Sequence, residues 1–127
     1  MLKIDKVSAS IAGNTVLRGI TTEFNAGQLL AVVGRNGAGK TTLLRAIMGL
    51  LPVSSGTIAM EGKDLTRVAG HLRSSYGIGY APEDRVMFPT FTVEDNLRLP
   101  CQVLGLSTAE TDKRLERVLD VVPQLKE

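Results

Sequence analysis

The most constraining feature of the sequence is a glycine-rich stretch between an apolar run and a helix-like segment. Residues 34–42 read GRNGAGKTT and satisfy the spacing G-x-x-x-x-G-K-[ST]. The apolar run at residues 29–33 predicts a buried strand, and residues 42–50 carry apolar side chains at helical spacing. Because strand, glycine-rich loop and helix follow one another in this order, the motif predicts a phosphate-binding loop.

The chemistry of the loop predicts what its residues bind. Glycines permit backbone angles that turn successive N–H groups toward an anion, and the N-terminus of the next helix adds positive potential. Lys40 is expected to reach the β- and γ-phosphates, Thr41 to ligate Mg²⁺, and Thr42 to bond the α-phosphate. A chance match in a glycine-rich turn is the alternative, and the flanking strand and helix argue against it. The predicted nucleotide-binding residues are Gly34, Asn36, Gly37, Ala38, Gly39, Lys40, Thr41 and Thr42.

Composition narrows the class of protein. A chain of 127 residues can form one domain with a core, and its net charge of +2 gives no reason to expect nucleic-acid binding. Cys101 is the single cysteine, which fits a reducing cytosol, and we expect it to be a small buried hydrophobe. No apolar run approaches the ~18 residues of a membrane span, and residues 1–6 contain no signal-peptide core. We therefore expect a soluble intracellular domain.

The residues before the loop predict an antiparallel sheet. Residues 2–10 alternate as a strand, Gly13-Asn14 marks a hairpin turn, and short strands are expected at 16–17 and 20–24. Small phosphate-loop kinases usually begin almost at the nucleotide-binding strand, so this prefix argues against a small kinase.

The residues after the loop predict further strands and helices. Strands are expected at 57–60 and 76–81, and a helix is expected from Asp64 to about Ser74. Further helices are predicted from residue 93 to about Leu99 and after Ser107. Their capping pairs are Thr92 with Asp95 and Ser107 with Glu110. Scattered basic side chains are expected to form a solvated face; they are Lys63, Arg67, His71, Arg73 and Arg85.

The order of these motifs resembles the ATP-binding subunits of ABC transporters. After the loop come SSGTI at 54–58, GKDL at 62–65, GYAPE at 79–83 and FTVEDNL at 91–97. The last two are more specific than the phosphate loop, and the resemblance covers essentially the full chain. Residues 82–97 look most like subunits that import branched-chain amino acids, with urea importers as close relatives. The implied fold is α/β: the P-loop NTPase core of an ABC ATPase, with an antiparallel β prefix and the start of a helical subdomain, truncated.

The resemblance also implies cofactors and partners. In this family two ATP-binding domains enclose ATP and Mg²⁺ between them, and the loop after Pro82 couples their closure to transmembrane permease subunits. The implied partners are therefore those permeases and a second ATP-binding subunit, identical or different. The implied location is cytoplasmic, peripheral on the inner face of the plasma membrane, with the membrane contacted only through partners.

Two residues take roles from the resemblance alone. Glu83 matches the position of a family glutamine that contacts Mg²⁺ and the attacking water, so it is the candidate catalytic and second metal-binding residue. Ile11 lies near the position of an aromatic side chain that stacks on adenine. An aliphatic contact there has weaker geometric preference, which leaves base selectivity open.

Three family features have no match in this chain. They are the Leu-Ser-Gly-Gly signature, an apolar strand that ends in Asp-Glu, and a switch histidine, whose position is not that of His71. The resemblance thus implies that residues 1–127 are the N-terminal part of one ABC ATP-binding domain, ending before the signature motif. A stand-alone nucleotide-binding regulatory module without turnover, or a subunit for urea or another solute, stays open.

Overall fold

The computed structural model describes residues 1–84 and 86–126 and forms two compact units, Met1–Tyr80 and Ala81–Glu127. The first unit contains the sheet and the glycine-rich loop, and the second is helical. The elements of the first unit are β1 (Leu2–Ile11), β2 (Asn14–Phe24), α1 (Lys40–Ile47), β3 (Ser55–Met60), β4 (Lys63–Asp64), α2 (Gly70–Arg73) and a 3-10 turn (Ser74–Tyr76). Those of the second unit are α3 (Val93–Val103), α4 (Thr108–Val121) and a 3-10 turn (Pro123–Lys126).

The four strands form one antiparallel sheet in the order β2-β1-β3-β4. The predicted hairpin is confirmed, but its turn lies one residue earlier than the predicted Gly13-Asn14. Ala12 and Gly13 both have positive φ, 48° and 80°, as a type I′ turn requires, and Asn14 begins β2. The two short strands expected at 16–17 and 20–24 form the single strand β2. Irregular register with β1 lets that strand continue through Gly19.

The core of the first unit lies between the sheet and α1. Three side chains of α1 are buried against the inward face of the hairpin and β3, so burial of apolar surface holds this helix in place. The buried cluster consists of Ile4, Val7, Ala9, Leu17, Leu43, Ala46, Ile47 and Ile58.

The predicted strands at 29–33 and 76–81 are wrong. Leu29 is fully exposed and Val33 is 89% exposed, and neither segment pairs with a strand in the described part of the chain. The apolar sequence suits a strand covered on both faces, yet a strand also needs a hydrogen-bonded neighbour. Composition alone does not supply that neighbour.

The predicted helix over 64–74 is also mostly wrong. Asp64 ends β4, and its Oδ1 accepts a hydrogen bond from the N–H of Thr66 at 2.8 Å. An N-cap would make the same bond, but Leu65 and Thr66 are held against β3. The N–H of Leu65 donates to the Ile58 carbonyl at 2.7 Å, and the Thr66 hydroxyl accepts from the N–H of Ile58 at 2.9 Å, so α2 begins only at Gly70.

Both predicted capping residues begin the helices of the second unit. Thr92 and Asp95 form a complete capping box, whereas Ser107 accepts from the N–H of Glu110 without the reciprocal bond. The prediction that α3 ends near Leu99 is wrong, because Pro100 removes only its own N–H and its carbonyl still accepts from the N–H of Leu104 at 3.2 Å.

Replacing the cap of α3 tests this assignment. We expect Thr92→Ala to lower the free energy of unfolding by about 1 kcal/mol, because the N–H of Asp95 loses its acceptor. Urea titration followed by circular dichroism measures the change. Thr90→Ala, the same substitution in the exposed loop before the helix, is the matched control. Equal effects of the two substitutions would contradict the capping role.

The same box predicts a pH dependence. Hydrogen bonds from the Thr92 hydroxyl and N–H lower the pKa of Asp95 from its ordinary 3.8. Because the folded-state pKa is the lower one, this stabilisation is present above pH 3.8 and is lost as the pH falls through the folded value. We expect Asp95→Asn to reduce the loss of stability on acidification, measured as unfolding free energy from pH 6 to pH 3. An unchanged pH profile would refute it.

Candidate phosphate-binding site

The glycine-rich loop is closed by the ammonium group of Lys40. Its Nζ donates to the carbonyl oxygens of Gly34, at 2.8 Å, and Arg35, at 2.9 Å. The N–H of Ala38 also donates to the Arg35 carbonyl, at 3.1 Å. The side chain of the first helical residue thus spans the loop and places its positive charge beside the carbonyl oxygens of the first two loop residues.

Gly39 is required where the loop meets the helix. It has a φ of 95° and a ψ of 11°, in the left-handed region that side chains disfavour. A Cβ at this position would also lie 3.2 Å from the Leu17 side chain and 3.3 Å from that of Val16. The loop therefore packs directly on β2, and a side chain at position 39 would require the Val16 and Leu17 side chains to shift.

The N-terminus of α1 is open toward the loop. The first helical hydrogen bond runs from the N–H of Leu43 to the carbonyl of Gly39 at 2.8 Å, so the N–H groups of Lys40, Thr41 and Thr42 precede it. No side chain caps this end, and its first turn contains no acidic residue. Unsatisfied N–H groups, the positive end of the helix dipole and one ammonium together can bind an anion.

The site also fits magnesium bound through phosphates. Among residues 1–84 and 86–126, no group of three or more His, Cys, Asp or Glu residues can hold a metal ion. Mg²⁺ commonly keeps several waters and takes only one or two protein ligands beside substrate phosphates. Thr41 is exposed in the first turn of α1, so its hydroxyl is a suitable ligand.

The remaining predicted site residues lie on the surface. Asn36 and Ala38 are exposed in the loop, and Ile11 is 44% exposed at the end of β1. Glu83 is exposed in the second unit. The nucleotide, catalytic and metal roles of all these residues stay predictions.

One functional candidate was missed by the sequence analysis. Arg73, expected on a solvated face, is only 2% exposed. Lys63, Arg67 and His71 are exposed as expected, and Arg85 lies outside the described residues. No spacing signal distinguishes Arg73 from its neighbours, because burial of a charged side chain depends on distant carbonyls.

The glycine-rich loop, the open helix N-terminus and the antiparallel sheet beside them are the arrangement expected of a phosphate-loop nucleotide-binding domain. The family model described as ABC transporter matches residues 17–126. The chain therefore belongs to the ABC transporter family, and its fold is that of an ABC ATPase with an α/β core and an antiparallel sheet.

Individual relatives agree with the family assignment. A probable branched-chain amino acid transport ATP-binding protein of Archaeoglobus fulgidus is 33% identical over 99% of this chain and 52% of its own. An Fe(3+) ions import ATP-binding protein of Yersinia enterocolitica is 36% identical over 95% of this chain and 34% of its own. A solved ATP-binding subunit of an ABC transporter has a TM-score of 0.80 and 31% identity, covering 94% of this chain and 49% of that one. The chain thus spans about half or less of the length of these relatives.

None of the helices in residues 1–84 and 86–126 is both long and apolar enough to cross a bilayer.

Proposed function

We propose that this chain is the N-terminal part of one ATP-binding domain of an ABC importer and that residues 34–42 bind the phosphates of Mg-ATP. The observation that carries the proposal is the closed loop at the uncapped N-terminus of α1, with Lys40 Nζ bonded to the carbonyls of Gly34 and Arg35. An anion entering the loop meets main-chain N–H groups and an ammonium together, which is how phosphate groups are held in this class of site.

The exposed apolar segment at 29–33 supports the proposed place in a larger domain. Exposed side chains such as Leu29 and Val33 lose the free energy that burial would provide. We infer that this segment pairs with strands from the remainder of a whole ATP-binding domain. Pairing would bury both of its faces, as the apolar sequence favours.

The residues of this chain would divide the work of the proposed ATPase. Lys40 and the loop N–H groups would hold the phosphates, and the Thr41 hydroxyl would hold Mg²⁺, which would supply positive charge beside the phosphoryl oxygens. Glu83 would accept a hydrogen bond from water. Hydrolysis is proposed only for the whole domain paired with a second ATP-binding subunit.

The transported solute is proposed from residues 82–97. Their resemblance favours branched-chain amino acids, as in the name of the A. fulgidus relative, whereas the Y. enterocolitica relative at similar identity is named for Fe(3+). Urea or another solute is the alternative. The proposed partners are permease subunits, which would hold the domain on the cytoplasmic face of the membrane.

Binding and turnover by the chain itself test the proposal. We expect isothermal titration to show Mg-ATP binding with a Kd on the order of 0.1–1 mM. Phosphate release should stay below about 0.01 s⁻¹, far under the ~1–1,000 s⁻¹ of typical enzymes, because the partner's signature residues are needed to position water and charge. Turnover near 1 s⁻¹ would contradict the proposal that hydrolysis needs the whole domain and its partner. Absence of Mg-ATP binding would refute the proposed phosphate site.

A further inference from the structure

Arg73 is a buried cation that the phosphate site described above does not include. It is 2% exposed, and its guanidinium makes five hydrogen bonds, all to main-chain carbonyl oxygens. The acceptors are Val68 at 3.0 Å, Ala46 at 3.0 Å, Ile47 at 2.5 Å, Leu65 at 2.6 Å and Thr66 at 3.4 Å. The five N–H donors of the guanidinium thus match five hydrogen bonds, and every acceptor is an uncharged carbonyl oxygen.

Two of these carbonyls belong to the last turn of α1. The final carbonyls of a helix have no intrahelical donor and carry the negative end of its dipole. The Ala46 carbonyl already accepts from the N–H of Gly49 at 3.0 Å, and Arg73 adds a second donor there. Arg73 also donates to the Ile47 carbonyl and places a positive charge against that end of the helix. The other end of the same helix begins at Lys40. With eight residues, α1 is only about 12 Å long, so a shift at one end moves the other.

Two glycines allow close packing near Arg73: Gly49 leaves room for its guanidinium, and Gly70 lets the start of α2 approach the residue after α1. A Cβ at Gly49 would lie 2.6 Å from Arg73 Nε, and a Cβ at Gly70 would lie 2.8 Å from the carbonyl oxygen of Met48. The remaining acceptors belong to the segment between β4 and α2, so Arg73 joins that segment to the C-terminal end of α1. Desolvation lowers the pKa of Arg73, as expected for a cation buried among dipoles.

We propose that Arg73 is a positioning residue of the nucleotide site: it holds the C-terminal end of α1 so that the N–H groups of the first turn and Lys40 face the phosphates. The inference rests on the proposed function. Without this clamp the short helix tilts on its buried face, and nucleotide affinity falls in molecules that are still folded.

The test compares Arg73→Lys with two controls in the full chain. Arg73→Lys keeps the positive charge but replaces the planar guanidinium and its five N–H donors with a compact ammonium. We expect its Kd for Mg-ATP to rise about 3- to 10-fold by isothermal titration, since alignment of the loop is lost. We also expect the amide NMR signals of Gly37 and Gly39 to shift in the nucleotide-free protein. Arg67→Lys repeats the chemical change at an exposed site, and Ile4→Val lowers core stability. Both should keep the wild-type Kd.

The outcomes separate a positioning role from a structural one. An unchanged Kd and unshifted loop amides in Arg73→Lys, despite reduced stability, would overturn the proposal while leaving the proposed function intact. Failure of the wild-type chain to bind Mg-ATP would overturn both.

If Arg73→Lys does not fold, the wild-type protein supplies the answer. Coupling between two sites is reciprocal, so saturating Mg-ATP should shift the Nε–H signal of Arg73 and slow its hydrogen exchange. A signal and exchange rate unaffected by Mg-ATP would overturn the proposal.

Discussion

Lys40→Ala is expected to weaken Mg-ATP binding about 30- to 1,000-fold, equivalent to roughly 2–4 kcal/mol. The substitution removes the ammonium that is proposed to bind the phosphates. It also removes the hydrogen bonds, at 2.8 and 2.9 Å, that hold the carbonyls of Gly34 and Arg35 in the closed loop. Because charge-assisted bonds to phosphate are stronger than neutral ones, this is the largest expected effect on binding. Isothermal titration with Mg-ATP at constant ionic strength measures it.

A matched control separates the site from the general charge of the helix. Arg45→Ala removes one positive charge from the exposed side of the same helix, in its last turn. We expect less than a threefold change in Kd, since an exposed charge at that distance is largely screened by salt. If the two variants lose affinity equally, or if Lys40→Ala binds as the wild type does, the assignment of the phosphate site is wrong.

Gly56→Ala is expected to cost about 3–5 kcal/mol of unfolding free energy. Gly56 has a φ of +84°, and a Cβ there would lie within 2.5 Å of the carbonyl oxygen of Asp5 and closer still to that of Lys6. These are main-chain atoms of β1, at the point where its register with β3 shifts, so they cannot move aside as a flexible side chain does. Urea unfolding followed by circular dichroism measures the loss.

Gly62→Ala isolates the steric part of that cost. Gly62 has a φ of +77°, and a Cβ there would meet nothing within 4 Å. Both substitutions therefore lower the free energy of unfolding by about 1–2 kcal/mol for the left-handed backbone, while only Gly56→Ala also clashes with the neighbouring strand. Equal losses for the two variants would contradict the close approach of β1 and β3.

The features that the sequence predicted correctly depend on neighbours along the chain. The hairpin was predicted from Gly13-Asn14, within one residue of the observed turn, and the starts of α3 and α4 follow from Thr92 and Ser107. Each involves groups only a few residues apart, so local geometry decides them. The conformation of residues 34–40 is also held locally, because Lys40 Nζ donates to carbonyls five and six residues before it, while phosphate binding by this loop stays a prediction.

The failures share the opposite property. Residues 29–33 have the composition of a buried strand, but strand formation depends on a hydrogen-bonded neighbour, and none pairs with them in residues 1–84 and 86–126. The helix expected from Asp64 failed because Leu65 and Thr66 are hydrogen-bonded to Ile58 on the neighbouring strand β3.

The sequence by itself determined the hairpin at the start of the chain and the caps of the two later helices. The tertiary structure alone decided that Arg73 is buried against Ala46 and Ile47 and that Gly56 touches Asp5 and Lys6. Those contacts join segments far apart along the chain. These contacts form only when folding brings distant carbonyls and strands together. A pattern of residues that are near one another in the sequence therefore does not predict them.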